Sequence, residues 1–292
     1  MKLSTKLFAI ASVFTCLAFL YGCNQGGETA TEDTTETETV MEEEMPQEPA
    51  AELAQDSSMM MMSDGITIVP VLESPEFPDA SLSVTMPAAD ASLPVGSANF
   101  SYDVQNYELG GQTGSMLSEM CANSGKGQHI HFIVNNQPYL AKYESSFSYD
   151  FPEAGNYVVL SFLSRSFHES IKSADAYTLA QYTVGDGGEP MDLTQPLLFY
   201  SRPKGEYTGA DAQNVLLDFF VANTRLSETG NKVKLTINGQ TEFMLPEWRP
   251  YILKGLPMGE HTFEIELVDS EGNLVGPEFN RVSRTFQLSE LQ

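Results

Sequence analysis

The chain has 292 residues, of which 40 are Asp or Glu and 15 are Lys or Arg, giving a net charge of −25. An apolar content of 41% excludes a chain disordered throughout, and the negative charge excludes nucleic acid and anionic membrane surfaces as partners recognised by charge. Three cysteines are too few for a disulfide scaffold, and the length suits about two domains beyond a targeting segment.

Residues 1–6 are short and basic, and residues 7–20 form an apolar run of 14 residues, too short for a membrane helix of about 20 residues but the right size for the core of a secretory signal. The run closes on Leu20-Tyr21-Gly22-Cys23. This resembles the bacterial lipobox, in which a small residue precedes a Cys that is acylated and becomes the new N-terminus; Tyr21 is bulkier than the usual occupant. The resemblance implies a signal peptide over residues 1–22 and a lipidated Cys23 that holds the chain on a lipid bilayer. The implied address is the extracytoplasmic side of a bacterial cell envelope. Acidic residues soon after the acylated Cys resemble the export signals of surface-displayed lipoproteins, which points to the outer membrane and leaves the leaflet open.

Residues 24–80 contain 15 acidic residues and no Lys or Arg. Residues 23–77 are therefore read as the lipidated Cys and a disordered acidic tether, extended by its own repulsion. Its one oddity is the run Met59-Met60-Met61-Met62. Thioethers bind Cu(I), so a copper-scavenging tether is one reading, against a low-complexity accident or a mildly sticky linker.

Beyond residue 77 the chain turns to β-branched and aromatic runs separated by Gly, Asn, Asp and Pro. Self-comparison shows a duplication. Residues 99–104 align with 214–219, residues 129–137 with 232–240, and residues 147–159 with 251–263, with Gly155 falling on Gly259. Two units follow, 78–186 and 192–292, joined by a hinge at 187–191. Asn135-Asn136 and Asn238-Gly239 supply equivalent hairpin turns. Six or seven short strands per unit predict an all-β chain of two tandem immunoglobulin-like or fibronectin-like sandwiches. The phrase Gly255-Leu256-Pro257-Met258-Gly259-Glu260-His261-Thr262 resembles the lead-in to the penultimate strand of many bacterial Ig-like modules. As a whole the chain resembles bacterial lipoproteins that combine an acidic tether with two such modules, some of them described as phosphopeptide-binding. Phosphate recognition draws on clustered Arg, and the six Arg at positions 165, 202, 225, 249, 281 and 284 form no sequence cluster.

No Gly-x-Ser-x-Gly, His-Glu-x-x-His, phosphate-cradling Gly loop or Cys-x-x-Cys is present. The chain is accordingly read as a non-enzymatic binding or adhesion module with no cofactor, whose partner is a protein, peptide or glycan. The alternative is a copper- or zinc-binding lipoprotein. His129 and His131 are i and i+2 on a strand and share one face. The equivalent strand of the second unit carries Val233, Leu235 and Ile237 on one side and Lys232 and Lys234 on the other, so Ile130, Phe132 and Val134 are expected inside and both His in solvent. His168 on a later loop, and Met120 and Cys121 on a long loop of the first unit, are further candidate ligands, with Met or Cys favouring Cu(I). Trp248 with Arg249 and Tyr251 is a candidate partner contact, packing at an edge or between modules being the other reading.

Overall fold

The computed structural model describes residues 59–89 and 91–291; the expected signal peptide, Cys23 and the tether as far as residue 58 lie outside the described residues. The first strands are β1 (Met61–Ser63) and β2 (Ile66–Pro70), turned by Asp64 and Gly65 at φ 52° and 79°. An Asp-Gly pair at positive φ matches the right-handed twist of the flanking strands, which makes it a tight hairpin turn.

The first module follows with β3 (Ser81–Met86), β4 (Ser92–Leu93), β5 (Gly96–Gln105), β6 (His129–Val134), β7 (Leu140–Lys142), β8 (Ser146–Phe151), β9 (Gly155–Ser164) and β10 (Tyr177–Val184). A one-turn helix, α1 (Leu117–Met120), lies in its long loop. The second module contains β11 (Leu197–Arg202), β12 (Gly205–Thr208), helix α2 (Ala210–Gln213), β13 (Val215–Ala222), β14 (Lys232–Ile237), β15 (Thr241–Leu245), β16 (Tyr251–Lys254), β17 (Gly259–Val268) and β18 (Arg281–Ser289). Each module pairs two sheets. In the first the orders are β3-β5-β8 and β4-β10-β9-β6-β7; in the second, β11-β13-β16 and β12-β18-β17-β14-β15. The short β4 and β12 run parallel to β10 and β18, whereas the other named strand pairs are antiparallel. The two halves thus share one immunoglobulin-like topology.

The equivalence reaches single side chains. Asn135 and Asn136 have φ 47° and 56°, and Asn238 and Gly239 have φ 53° and 68°. Asn135 Oδ1 accepts from Val158 N at 2.8 Å and Asn238 Oδ1 accepts from Thr262 N at 2.8 Å, so each turn is tied to the neighbouring strand by its own amide. The Tyr157 hydroxyl donates to Glu153 O at 2.9 Å, and at the matching place His261 Nε2 lies 2.7 Å from Pro257 O. His261 in the Leu-Pro-x-Gly-x-His phrase is therefore a structural corner residue, filling the place a tyrosine takes in the first module.

Part of the segment expected to be a disordered tether, from residue 61 on, forms strands instead. β2 pairs with β16, Ile68 lying opposite Leu253, and so adds a hairpin to the second module's β11-β13-β16 sheet. Ile66 and Ile68 are buried in that module's core beside Val215, Leu217 and Leu253. Residues 61–70 carry apolar alternation at Ile66 and Ile68, and burying it outweighs the ordering cost that acidic composition implies elsewhere.

The described part of the chain thus starts on the second module, crosses to the first and returns, and the described residues belong to one compact unit. Residues 187–191 are a connection rather than a hinge between independent bodies, because the β10-β9-β6 face of the first module packs on the β11-β13 face of the second. Ile133, Tyr139, Leu160 and Phe162 meet Leu197, Phe199 and Phe220 in an apolar seam, with Phe162 and Phe220 stacked at 5.2 Å. Asp218 on β13 is 0% exposed and accepts from Ser170 N at 3.2 Å, Ser170 Oγ at 3.0 Å and Lys172 Nζ at 2.6 Å, so the modules are also held by a buried ion pair. Lys172→Met leaves this carboxylate buried and unpaired, and a loss of about 3–5 kcal/mol in urea unfolding is expected. Lys172→Arg retains most of that stability if the charge is what counts.

Candidate metal centre

His129 and His131 extend from β6 on the face opposite Ile130, Phe132 and Val134, which fill the first module's core as expected. The expectation of solvent on the other face is wrong. Both imidazoles are 0% exposed, because the second module covers the face whose counterpart on β14 is open. His168, 9% exposed, reaches the same place from the loop after β9. It has φ 71°, a left-handed conformation that costs a non-glycine residue about 1 kcal/mol or more. The turn is braced by Arg165 Nη1 to Glu169 Oε1 at 3.1 Å, and both partners are held by the strap leaving β2: Arg165 Nη2 donates to Pro75 O at 2.6 Å and Ser74 Oγ to Glu169 Oε2 at 2.5 Å.

His131 Nε2 lies 2.9 Å from His129 Nε2, and His168 Nδ1 lies 3.1 Å from that same atom. One ligand nitrogen from each of the three rings falls within 4.8 Å of the others. His129 Nδ1 is 2.8 Å from Gly127 O, a pure acceptor, so this nitrogen carries the ring proton and Nε2 presents a bare lone pair. Gly127 is itself required, since at φ 83° a Cβ there would sit 2.2 Å from Gly110 O. His131 Nδ1 is 3.1 Å from Ser201 Oγ, and His168 Nδ1 is 3.1 Å from the Tyr139 hydroxyl. The His131 ring stacks on Tyr139 at 3.5 Å and 7°.

One in-plane lone pair accepts one strong hydrogen bond, yet two further ring nitrogens approach His129 Nε2. If both carry their ring proton there, they compete for that one lone pair; if either is bare, it meets the atom lone pair to lone pair. A cation or an extra proton among the three relieves the conflict, and burial disfavours the proton. Desolvation pushes His129 down to about 4, with Arg202 and Lys204 adding to the shift. His131 and His168 are held well below the ordinary imidazole range, first by burial and then by neighbouring rings and the same two cations. Neutral imidazole is the ligand form. Tetrahedral coordination with metal–nitrogen bonds of about 2.0–2.1 Å separates the nitrogens by about 3.3 Å, close to the two short contacts.

The Cys121 thiol is not among the converging donors. Cys121 is buried with Val71, Leu117, Phe167, Leu216 and Ile252, and Met120 packs against that cluster. Burial pushes the Cys121 thiol up to about 12, which keeps it protonated and a poor ligand. The role of Cys121 is to seat the long loop over the seam. The Trp248 group is not an exposed contact either. Tyr251 is 2% exposed, its hydroxyl donating to Glu247 O at 3.1 Å. Trp248 is half-buried, donates to Phe219 O at 3.1 Å and meets Phe220 edge-on at 4.8 Å, so it packs at the module seam. Arg249 pairs with Glu247 and donates to Val71 O. Sequence reasoning missed Tyr139, Ser201, Arg202 and Lys204, the groups that surround the imidazoles. Three of them come from the second module, and no pattern local to β6 announces them.

No family model and no curated protein matches the chain. Solved structures align weakly. Fibronectin(III)-like modules of Clostridium thermocellum CbhA are 11% identical, covering 72% of this chain and 94% of theirs at a TM-score of 0.26. SGBP-B of a Bacteroides ovatus mixed-linkage glucan utilization locus is 10% identical over 78% of this chain and 71% of its own, at 0.21. Two tandem V-type regions of a v-region-containing chitin binding protein are 9% identical over 72% and 98%, at 0.21. The immunoglobulin-like assignment stands on the strand pairing itself.

Proposed function

We propose that the chain is a non-enzymatic binding protein of the bacterial cell envelope, lipid-anchored through Cys23, whose two sandwiches close around a three-histidine centre for Zn(II) or Cu(II). The observation that carries the metal reading is the convergence of His129, His131 and His168 on nitrogen–nitrogen contacts of 2.9 and 3.1 Å around the one bare lone pair of His129 Nε2. An all-nitrogen donor set suits Zn(II) and Cu(II). Cu(I) loses part of its argument, since the Cys121 thiol is not among the converging donors. Rings buried to this degree offer a substrate no approach, which favours a centre that binds and braces over one that catalyses. The lipid anchor and the envelope address rest on the Leu20-Tyr21-Gly22-Cys23 motif alone.

The test is a titration of the full chain, stripped with a chelator, against Zn(II), Cu(II) and Co(II). One ion per chain is expected, with little proton release near neutral pH because the ligands are already unprotonated. At about a hundredfold excess over the dissociation constant, binding adds about 2.7 kcal/mol to unfolding stability. His131→Gln abolishes that gain. An absence of saturable uptake by the wild-type chain would overturn the proposal whatever the variant does.

A further inference from the structure

Tyr139 is covered on both faces: His131 stacks on one, and Lys204 Nζ lies 3.8 Å from the ring centroid. Two groups at those distances cannot share a face, so the phenol ring separates the imidazoles from a cluster of cations. Lys204 lies on the link between β11 and β12, Arg202 ends β11, and Arg284 is on β18. Lys204 and Arg284, together with Asn136, Pro138 and Val282, line a cavity of about 550 Å³ that has no Asp or Glu in its wall.

The cations there form no ion pair. None of the ion pairs among the described residues involves Arg202, Lys204 or Arg284, although the chain carries 40 acidic side chains. Arg284 is 8% exposed; its Nη2 donates to Asn136 O at 2.7 Å, its Cζ sits 4.5 Å from the Tyr200 ring centroid, and its Nη1 is buried without a hydrogen-bond partner. Arg202 gives Nη1 to the Tyr207 hydroxyl at 2.7 Å and leaves Nε unpaired. Lys204 Nζ donates once, to Tyr139 O at 2.7 Å. Buried cationic donors left unpaired are destabilising by several kcal/mol unless something external satisfies them.

We propose that this cavity is a binding site for the carboxylate group of a small ligand, held by Lys204 and Arg284. Two features select a carboxylate over a larger oxyanion. The free donors are few, the spare ammonium N–H groups of Lys204, with the buried Arg284 guanidinium beside them as a second positive charge, which suits an anion with two oxygens better than one with three or four. Pro138 and Val282 give the ligand's body an apolar surface to lie on. Burial and the two guanidinium groups also bring Lys204 down to about 8, a strain that a bound anion releases. The site is independent of the metal reading, since no imidazole takes part.

The experiment titrates the full chain with acetate, D-glucuronate and inorganic phosphate by calorimetry, with a chelator present to remove metal ions and chloride added to hold ionic strength constant. Saturable binding of a carboxylate is expected, weakened about tenfold or more in Lys204→Met, as loss of one charge-assisted hydrogen bond implies. Lys204→Arg retains binding, and Lys142→Met, a change on β7, leaves it untouched. The proposal is overturned by no saturable carboxylate binding in the wild type, by phosphate binding more tightly than either carboxylate, or by a folded Lys204→Met chain that binds as the wild type does. Should Lys204→Met fail to fold, the wild-type titrations and Lys204→Arg still decide the matter.

Discussion

A chain that starts at Val71 is expected to lose most of its stability, even though the segment removed has the composition of a linker. Deleting β1 and β2 strips Ile66 and Ile68 from the second core, exposes Leu253 and Tyr251 on β16, and turns β16 into a bare edge strand. Fully burying an aliphatic side chain contributes about 1.5–3 kcal/mol, so the two isoleucines and Val69 represent on the order of 5 kcal/mol before the cost of ordering the hairpin. That is a large share of the usual 5–15 kcal/mol of a folded domain. Ile68→Ala is the gentler form and should lower stability by about 2–5 kcal/mol. Met62→Ser, at a site 73% exposed, should change nothing measurable. Urea unfolding of the three forms checks this; equal midpoints for the wild type and the truncated chain would show that the hairpin is ornamental.

The second large effect is acid lability of the metal-free protein. Burial lowers the folded-state pKa of His129 to about 4 against about 6.5 unfolded, so between those values the unfolded chain binds more protons and stability drops as pH is lowered. The contribution is complete above pH 6.5 and disappears as pH drops through 4, amounting to about 3 kcal/mol for this residue at about 1.4 kcal/mol per unit. His131 and His168 are shifted in the same direction and extend the loss to lower pH. Urea midpoints measured in chelator at pH 7.5 and pH 5 should therefore differ widely, the gap narrowing in His168→Gln. Because the net charge of −25 relaxes on acidification, a chain without this histidine cluster would gain stability over the first part of that range. A flat or rising profile from pH 7.5 to 5 would contradict the buried, neutral cluster.

Much of the architecture is legible in the sequence. The duplicated blocks, the Asn turns and the inward set Ile130, Phe132 and Val134 are local patterns, and the structure repeats them strand for strand. What covers the other face of β6 is not local. The β14 comparison fails because the repeats share a fold but not an environment: the outer face of β17 carries Thr262, Glu264 and Glu266, while β9 carries Val158, Leu160 and Phe162 at the same positions. That apolar run on both faces of β9 was the available sign of a covered sheet. The polar Ser97, Asn99 and Ser101 on β5 against Leu216 and Phe220 on β13 say the same of the partner sheet. Asp64-Gly65 between alternating residues likewise marked a hairpin inside the presumed tether. The meeting of His168 with His129 and His131 depends on a left-handed residue in a braced loop, which spacing does not encode.

The pairing of Ile68 with Leu253 joins the earliest described strands to one made late. Contacts this distant along the chain slow folding, because a long stretch must be ordered before the pairing is rewarded. During synthesis, N-terminus first, the hairpin waits without its template until β16 emerges. The first module, whose own pairings are short-range by comparison, is then expected to organise first, and the closing event is the capture of the hairpin by β16. Pulse-labelled hydrogen exchange during refolding should show Ile66 and Ile68 protected last, after the amides of β9 and β10.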